Sequence, residues 1–68
     1  MANDIKFWRE KHKPFMSQTE LGKQIGLPQF LVSILENPNT HIDPDQELAH
    51  KIANKLNVLI TDILRKEN

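Results

Sequence analysis

Few residues of this 68-residue sequence are arranged for covalent or metal chemistry. His12, His41 and His50 have no ligand-like spacing, and there is no cysteine to supply a thiolate, so no metal site is expected. No nucleophile–base pair, phosphate-binding loop or carboxylate dyad stands out, so neither an enzyme nor a cofactor is expected. What remains is hydrogen-bonding chemistry. Gln18 and Gln29 carry amides with an acceptor oxygen and two N–H donors, and Ser33 carries a hydroxyl.

Helices must position these groups. No alternating apolar run is bounded by hairpin turns; Val32-Ser33-Ile34 and Val58-Leu59-Ile60 are the only β-branched clusters, and both sit inside helical spacing. A first helix is expected from Asn3 as N-cap, with Asp4 in its first turn, Ile5 and Trp8 facing inward, Phe7 beside them and Pro14 as terminator. Ser17-Gln18-Thr19-Glu20 reads as a capping box opening a second helix over 17–25, with Leu21 and Ile25 inward. Gly26 supplies the left-handed residue that stops it. Pro28 suits the first position of a third helix over 28–36, whose inner face is Val32 and Leu35. Asn37-Pro38-Asn39-Thr40 is a turn.

Asp43-Pro44 repeats the start signal for a fourth helix, with Leu48, Ile52, Ala53 and Leu56 as its inner stripe and Asn57 as its left-handed end. A short fifth helix is expected over 60–65, with Arg65 and Lys66 at its favourable C-terminal end. The expectation is one all-α domain over 1–68, a compact five-helix bundle.

Length and charge restrict the partners. A chain this short builds a small core, which helix packing, and dimerisation if it occurs, must stabilise. No apolar run approaches a membrane span, and Met1-Ala2-Asn3-Asp4 lacks a signal-peptide pattern, so a cytoplasmic protein is expected. Net charge is zero, which argues against strong non-specific nucleic-acid binding. Residues 1–30 carry five basic side chains (Lys6, Arg9, Lys11, Lys13, Lys23) against three acidic ones (Asp4, Glu10, Glu20), a balance of +2. Residues 31–68 carry four against six, a balance of −2.

The ordered set Ser17-Gln18, Glu20-Leu21, Gly22, Ile25-Gly26-Leu27, Val32 and Leu35-Glu36-Asn37 resembles the helix-turn-helix of the phage repressor and Cro family. Downstream, Pro44 and Ile52-Ala53-Asn54-Lys55-Leu56-Asn57-Val58 look like that family's fourth helix and its end. The resemblance covers about 5–64, with the helix-turn-helix proper at about 17–36. It implies a lambda-repressor-like DNA-binding fold, in which Gly22 lets two short helices touch and Gly26 makes the turn.

It also implies roles. Gln18, just after the cap, would contact phosphate or base. Gln29 would read bases, since glutamine pairs bidentately with adenine in the major groove. Pro28 would open the reading helix, and Ser33 would reach a base or phosphate. For each polar side chain the alternative is a solvated surface role. Asn37, Asn39 and Thr40 would lie along the DNA backbone, although their loop lacks the usual Lys or Arg. Arg9 and Glu36 match a pair that braces the first helix against the third, although Lys13-Pro14-Phe15-Met16 lengthens the connection here. Relatives dimerise at or near the fifth helix, which points to Val58, Leu59, Ile60, Ile63 and Leu64 as a homodimer interface.

Phe30, Leu31 and Ile34 depart from the pattern, because they put apolar side chains on or beside the reading face. Three readings stay open: contact with thymine methyl groups, a protein-binding face, or a helix phase that turns some of them into core. The function expected is a sequence-specific DNA-binding regulator, a repressor on a palindromic operator as a dimer. The alternative is a protein-interaction module that uses the same fold to bind another regulator through Phe30, Leu31 and Ile34.

Overall fold

The computed structural model describes residues 3–64. In order, the elements are α1 (Ile5–Lys11), α2 (Gln18–Ile25), α3 (Gln29–Glu36), a 3-10 turn (Pro38–Thr40), α4 (Gln46–Leu56) and α5 (Ile60–Ile63). Among the described residues there is no strand; the one extended pairing is an isolated antiparallel bridge between Asn3 and Leu64. The radius of gyration, 10.8 Å, is the value of about 11 Å that a folded chain of this length should have. No helix among the described residues is long and apolar enough to cross a membrane.

One core serves all five helices. Ile5, Leu21, Val32, Ile52 and Ile63 are its largest fully enclosed side chains, with Met16, Ile25, Leu35, Ala49, Ala53 and Leu56 around them. Trp8, Leu27, Leu48, Val58, Ile60 and Leu64 pack on its edge. The inward faces expected for α2, α3 and α4 are the observed ones. Met16 and Ala49 join them. Periodicity could not find Met16, because it sits in the α1–α2 connection and not on a helix.

Several helix starts fall later than the sequence signals indicate. The N-cap of α1 is Asp4, not Asn3, so no acidic residue stands in the first turn. Asn3 is engaged differently: its Oδ1 accepts from the Ile5 N–H at 3.1 Å, and its Nδ2 donates to the Leu35 carbonyl and to Asp43 Oδ1, each at 2.9 Å. α1 ends at Lys11, three residues before Pro14. Pro28 is the N-cap of α3 and not its first helical residue. Asp45 caps α4, accepting from the Leu48 N–H at 2.8 Å. Asp43 is held by Asn3, and Pro44 is buried, so that dipeptide anchors the loop and leaves the cap to the next aspartate. α5 is one turn long, and Arg65 and Lys66 lie outside the described residues.

The junction of α2 and α3 positions the polar groups. The Ser17 hydroxyl accepts from the Glu20 N–H at 3.0 Å. Glu20 does not reach back to complete a capping box; its carboxylate accepts from Gln24 at 3.3 Å. Gly26 stops α2 at φ 80°, ψ 28°, where a side chain costs backbone energy. The Gly22 carbonyl accepts the N–H groups of both Gly26 and Leu27, which folds the turn back onto α2. A Cβ on Gly22 would collide with the Leu27 carbonyl oxygen and press on Val32 of α3 at 3.4 Å.

The two glycines are therefore needed for different reasons, and alanine separates them. Gly22→Ala must push backbone aside in a packed junction, and is expected to cost about 2–3 kcal/mol. Gly26→Ala meets no atom within 4 Å and is expected to cost only about 1 kcal/mol for the left-handed conformation. Thermal unfolding should show a clearly larger drop in Tm for Gly22→Ala. Equal drops would mean that α2 and α3 do not approach as described.

Candidate functional site

The exposed polar groups of the α2–α3 junction rest on a buried ion pair. Arg9, on α1, has a side chain only 6% exposed, and Glu36, the last residue of α3, one 3% exposed. The guanidinium grips the carboxylate through two bonds, Nε to Oε2 at 2.6 Å and Nη2 to Oε1 at 3.0 Å. Its Nη1 donates to the Met16 carbonyl at 3.0 Å. That third bond explains how the long α1–α2 connection is accommodated. The extra residues bulge outward at Pro14 and Phe15, while Met16 returns to the core with its carbonyl on Arg9. Among the described residues no buried side-chain nitrogen or oxygen lacks a partner.

Glu36 has a third donor. Gln18, the first residue of α2, gives an Nε2–H to Glu36 Oε1 at 2.8 Å. Gln29, the first residue of α3, gives an Nε2–H to Gln18 Oε1 at 2.6 Å. A single hydrogen-bonded line thus runs from the buried arginine through the glutamate and the half-buried Gln18 to the exposed Gln29. Sequence reading paired Arg9 with Glu36 and singled out Gln18 and Gln29 separately. It did not link Gln18 to Glu36, 18 residues apart, because that contact exists only once α2 crosses the end of α3.

The remaining residues divide. Ser33 is half-buried and borders a shallow groove of about 270 Å³ with Lys6, Gln18, Glu36, Asn37 and Pro38. Pro28 and Asn39 are exposed. Asn37 Oδ1 accepts from the Asn39 N–H at 2.9 Å, and the Thr40 hydroxyl lies 2.8 Å from the carbonyls of Ile34 and Asn37, closing the end of α3. The side chains of Asn37 and Thr40 are therefore partly engaged in shaping their own loop.

Lys6 was missed. The loop lacks a cation, but α1 brings one to its edge. The signal was available: Lys6 lies one turn before Arg9 on the same helix face, so pairing Arg9 with Glu36 sets Lys6 beside Asn37.

The apolar residues of α3 have a defined phase. Val32 and Leu35 are buried, Phe30 is 60% exposed, and Leu31 and Ile34 are half-buried without joining the residues packed on the core. The reading in which Phe30 belongs to the core is thereby removed. Around α5, Leu59 is 68% exposed, while Val58, Ile60 and Leu64 are half-buried against the core. Ile63 departs from its expected place in an interface: it is fully enclosed by its own chain. Its carbonyl accepts the Asp4 N–H at 2.9 Å, and the next carbonyl back, that of Asp62, accepts from the Trp8 indole at 3.0 Å. With no exposed area, Ile63 has no surface to offer a second copy.

The ion pair is expected to dominate local stability. Arg9→Met or Glu36→Leu leaves one charge buried and unpaired, at a cost of about 3–5 kcal/mol, a large part of what a small domain has. The double variant should be less destabilised than either single one, because no uncompensated charge is left. Chemical denaturation of the three variants checks this. Losses of only about 0.5 kcal/mol, as for an exposed pair, would contradict the burial.

No protein-family model matches the chain, and no curated protein matches it.

Proposed function

We propose that this domain is a sequence-specific DNA-binding regulator, acting as a transcriptional repressor, that inserts α3 into the major groove. The observation that supports it best is the Gln29–Gln18 pair at the start of α3 and α2. Glutamine at the leading end of an exposed helix can satisfy the N7 acceptor and N6 donor of adenine together. Ser33 is four residues further on in α3, and Lys6 and the Asn37–Thr40 loop flank the groove beside it, where contacts to phosphate would fix the register. A neutral domain of this size gains little from charge alone. Binding as a homodimer on a palindromic site would compensate by doubling the contacts. Leu59, with the exposed edges of Val58, Ile60 and Leu64, is the surface proposed for that pairing.

Phe30 supports a second reading. A phenylalanine 60% exposed, with Leu31 and Ile34 beside it, also suits a face that docks on another protein, since an exposed apolar patch marks an interaction surface. On the DNA reading the same ring lies against thymine methyl groups next to the base read by Gln29.

Two substitutions at exposed positions separate the readings without unfolding the domain. If α3 reads DNA, Gln29→Ala should cost about 1–3 kcal/mol at one position of a preferred duplex and relax the choice of base there. Phe30→Ala should lose affinity at thymine-containing sites, and less so when uracil replaces thymine. Fluorescence titration against a pool of short duplexes, at two salt concentrations, provides the measurement. Duplex binding that is weak, indifferent to sequence and untouched by both substitutions would favour the protein-docking reading.

A further inference from the structure

We infer that Glu36 is a positioning residue that sets which way the Gln29 amide faces, and through it the preference of α3 for adenine over guanine. The inference rests on the DNA-binding reading and concerns what makes that reading selective. A glutamine amide has two ends of similar shape and opposite hydrogen-bonding character. Left to itself, Gln29 could turn either end outward.

The chain of contacts beneath it removes the choice. A carboxylate accepts and does not donate, and Glu36 is clamped by both arms of the Arg9 guanidinium. Gln18 must therefore turn its NH2 group toward Glu36, as it does at 2.8 Å. Its carbonyl oxygen is then the atom left for Gln29, which must meet it with an N–H, at 2.6 Å. Each step is forced by the one before. The outcome at the surface is a Gln29 with one N–H committed inward, leaving one N–H and Oε1 for a partner.

One donor and one acceptor side by side match adenine, which presents N7 as acceptor and N6–H as donor. They do not match guanine, whose N7 and O6 both accept. Guanine would need both N–H groups of Gln29, and one is already given to Gln18; Oε1 would then face O6, acceptor against acceptor. A glutamine free to rotate has no such restriction and could turn its whole NH2 group to guanine. The buried pair thus controls base choice at an atom that neither Arg9 nor Glu36 touches.

The test compares the affinity ratio for adenine over guanine at the duplex position that Gln29→Ala identifies, using duplexes chosen from a randomised pool. Gln18→Met removes the relay at a half-buried position and leaves Arg9 and Glu36 paired. Its ratio should fall about tenfold; because both affinities are taken within the variant, a uniform loss from the missing Gln18 contact cancels from the ratio. The double variant Arg9→Met/Glu36→Leu, assayed at a temperature where circular dichroism shows it folded, should give the same lowered ratio, because no acceptor remains at 36 to fix the Gln18 amide. Should that variant not fold, Gln18→Met decides alone. An unchanged ratio in Gln18→Met, with sequence-specific binding intact, overturns the inference and leaves the DNA reading standing. A wild-type protein with no adenine preference linked to Gln29 overturns both.

Discussion

Arg9 is a full positive charge withdrawn from water in a 68-residue domain, and much of the molecule is arranged to keep it satisfied. Burying an ion costs several kcal/mol even after the protein relaxes. Here the cost is offset by a bidentate carboxylate and a backbone carbonyl. Those partners come from the end of α3 and from the residue before the cap of α2. One guanidinium therefore fixes two segments relative to α1. It determines where α2 begins, because Met16 is held one residue before Ser17. It determines where α3 ends, because Glu36 is its last helical residue.

The glycines complete the constraint from the opposite side of the junction. With Gly22 permitting contact with the Leu27 carbonyl and Val32, and Gly26 reversing the chain, the start of α3 has little freedom once its end is pinned by Arg9. Gln18 and Gln29, the first residues of their helices, meet as a consequence. The exposed amides do not assemble themselves. An isolated side-chain hydrogen bond at the surface contributes only about 1 kcal/mol, too little to organise the backbone beneath it. It forms because the backbone positions are set by the packed layer below.

The helices were largely legible in the sequence because each signal was local: a serine cap, a left-handed glycine, a left-handed asparagine, apolar residues every three or four positions. The signals that misled were local too. Asn3 and Asp43 look like helix caps, but they bond to each other across 40 residues, and a tertiary contact of that kind leaves no trace in either segment. The same holds for Ile63. Its place on a short helix resembles a sticky edge, yet it is fully enclosed, and bonds from Asp4 and Trp8 to the carbonyls of Ile63 and Asp62 tie that helix down. At the candidate site the polar residues could be picked out one by one. Their connection into a line could not, because Gln18 reaches Glu36 only after α2 and α3 have crossed. Lys6 falls in between, found by helical geometry once Arg9 is paired with Glu36.

The central claim is that the surface amides of Gln18 and Gln29 are held in one orientation by the buried charge pair. Nuclear magnetic resonance of the free protein tests it most directly, with the exposed Gln46 side chain as internal reference. The claim predicts that the side-chain amide protons of Gln18 and Gln29 are dispersed from those of Gln46, exchange more slowly with water, and show close contacts between the two side chains. Side-chain amide signals for Gln18 and Gln29 that coincide with those of Gln46 and exchange as fast would contradict it.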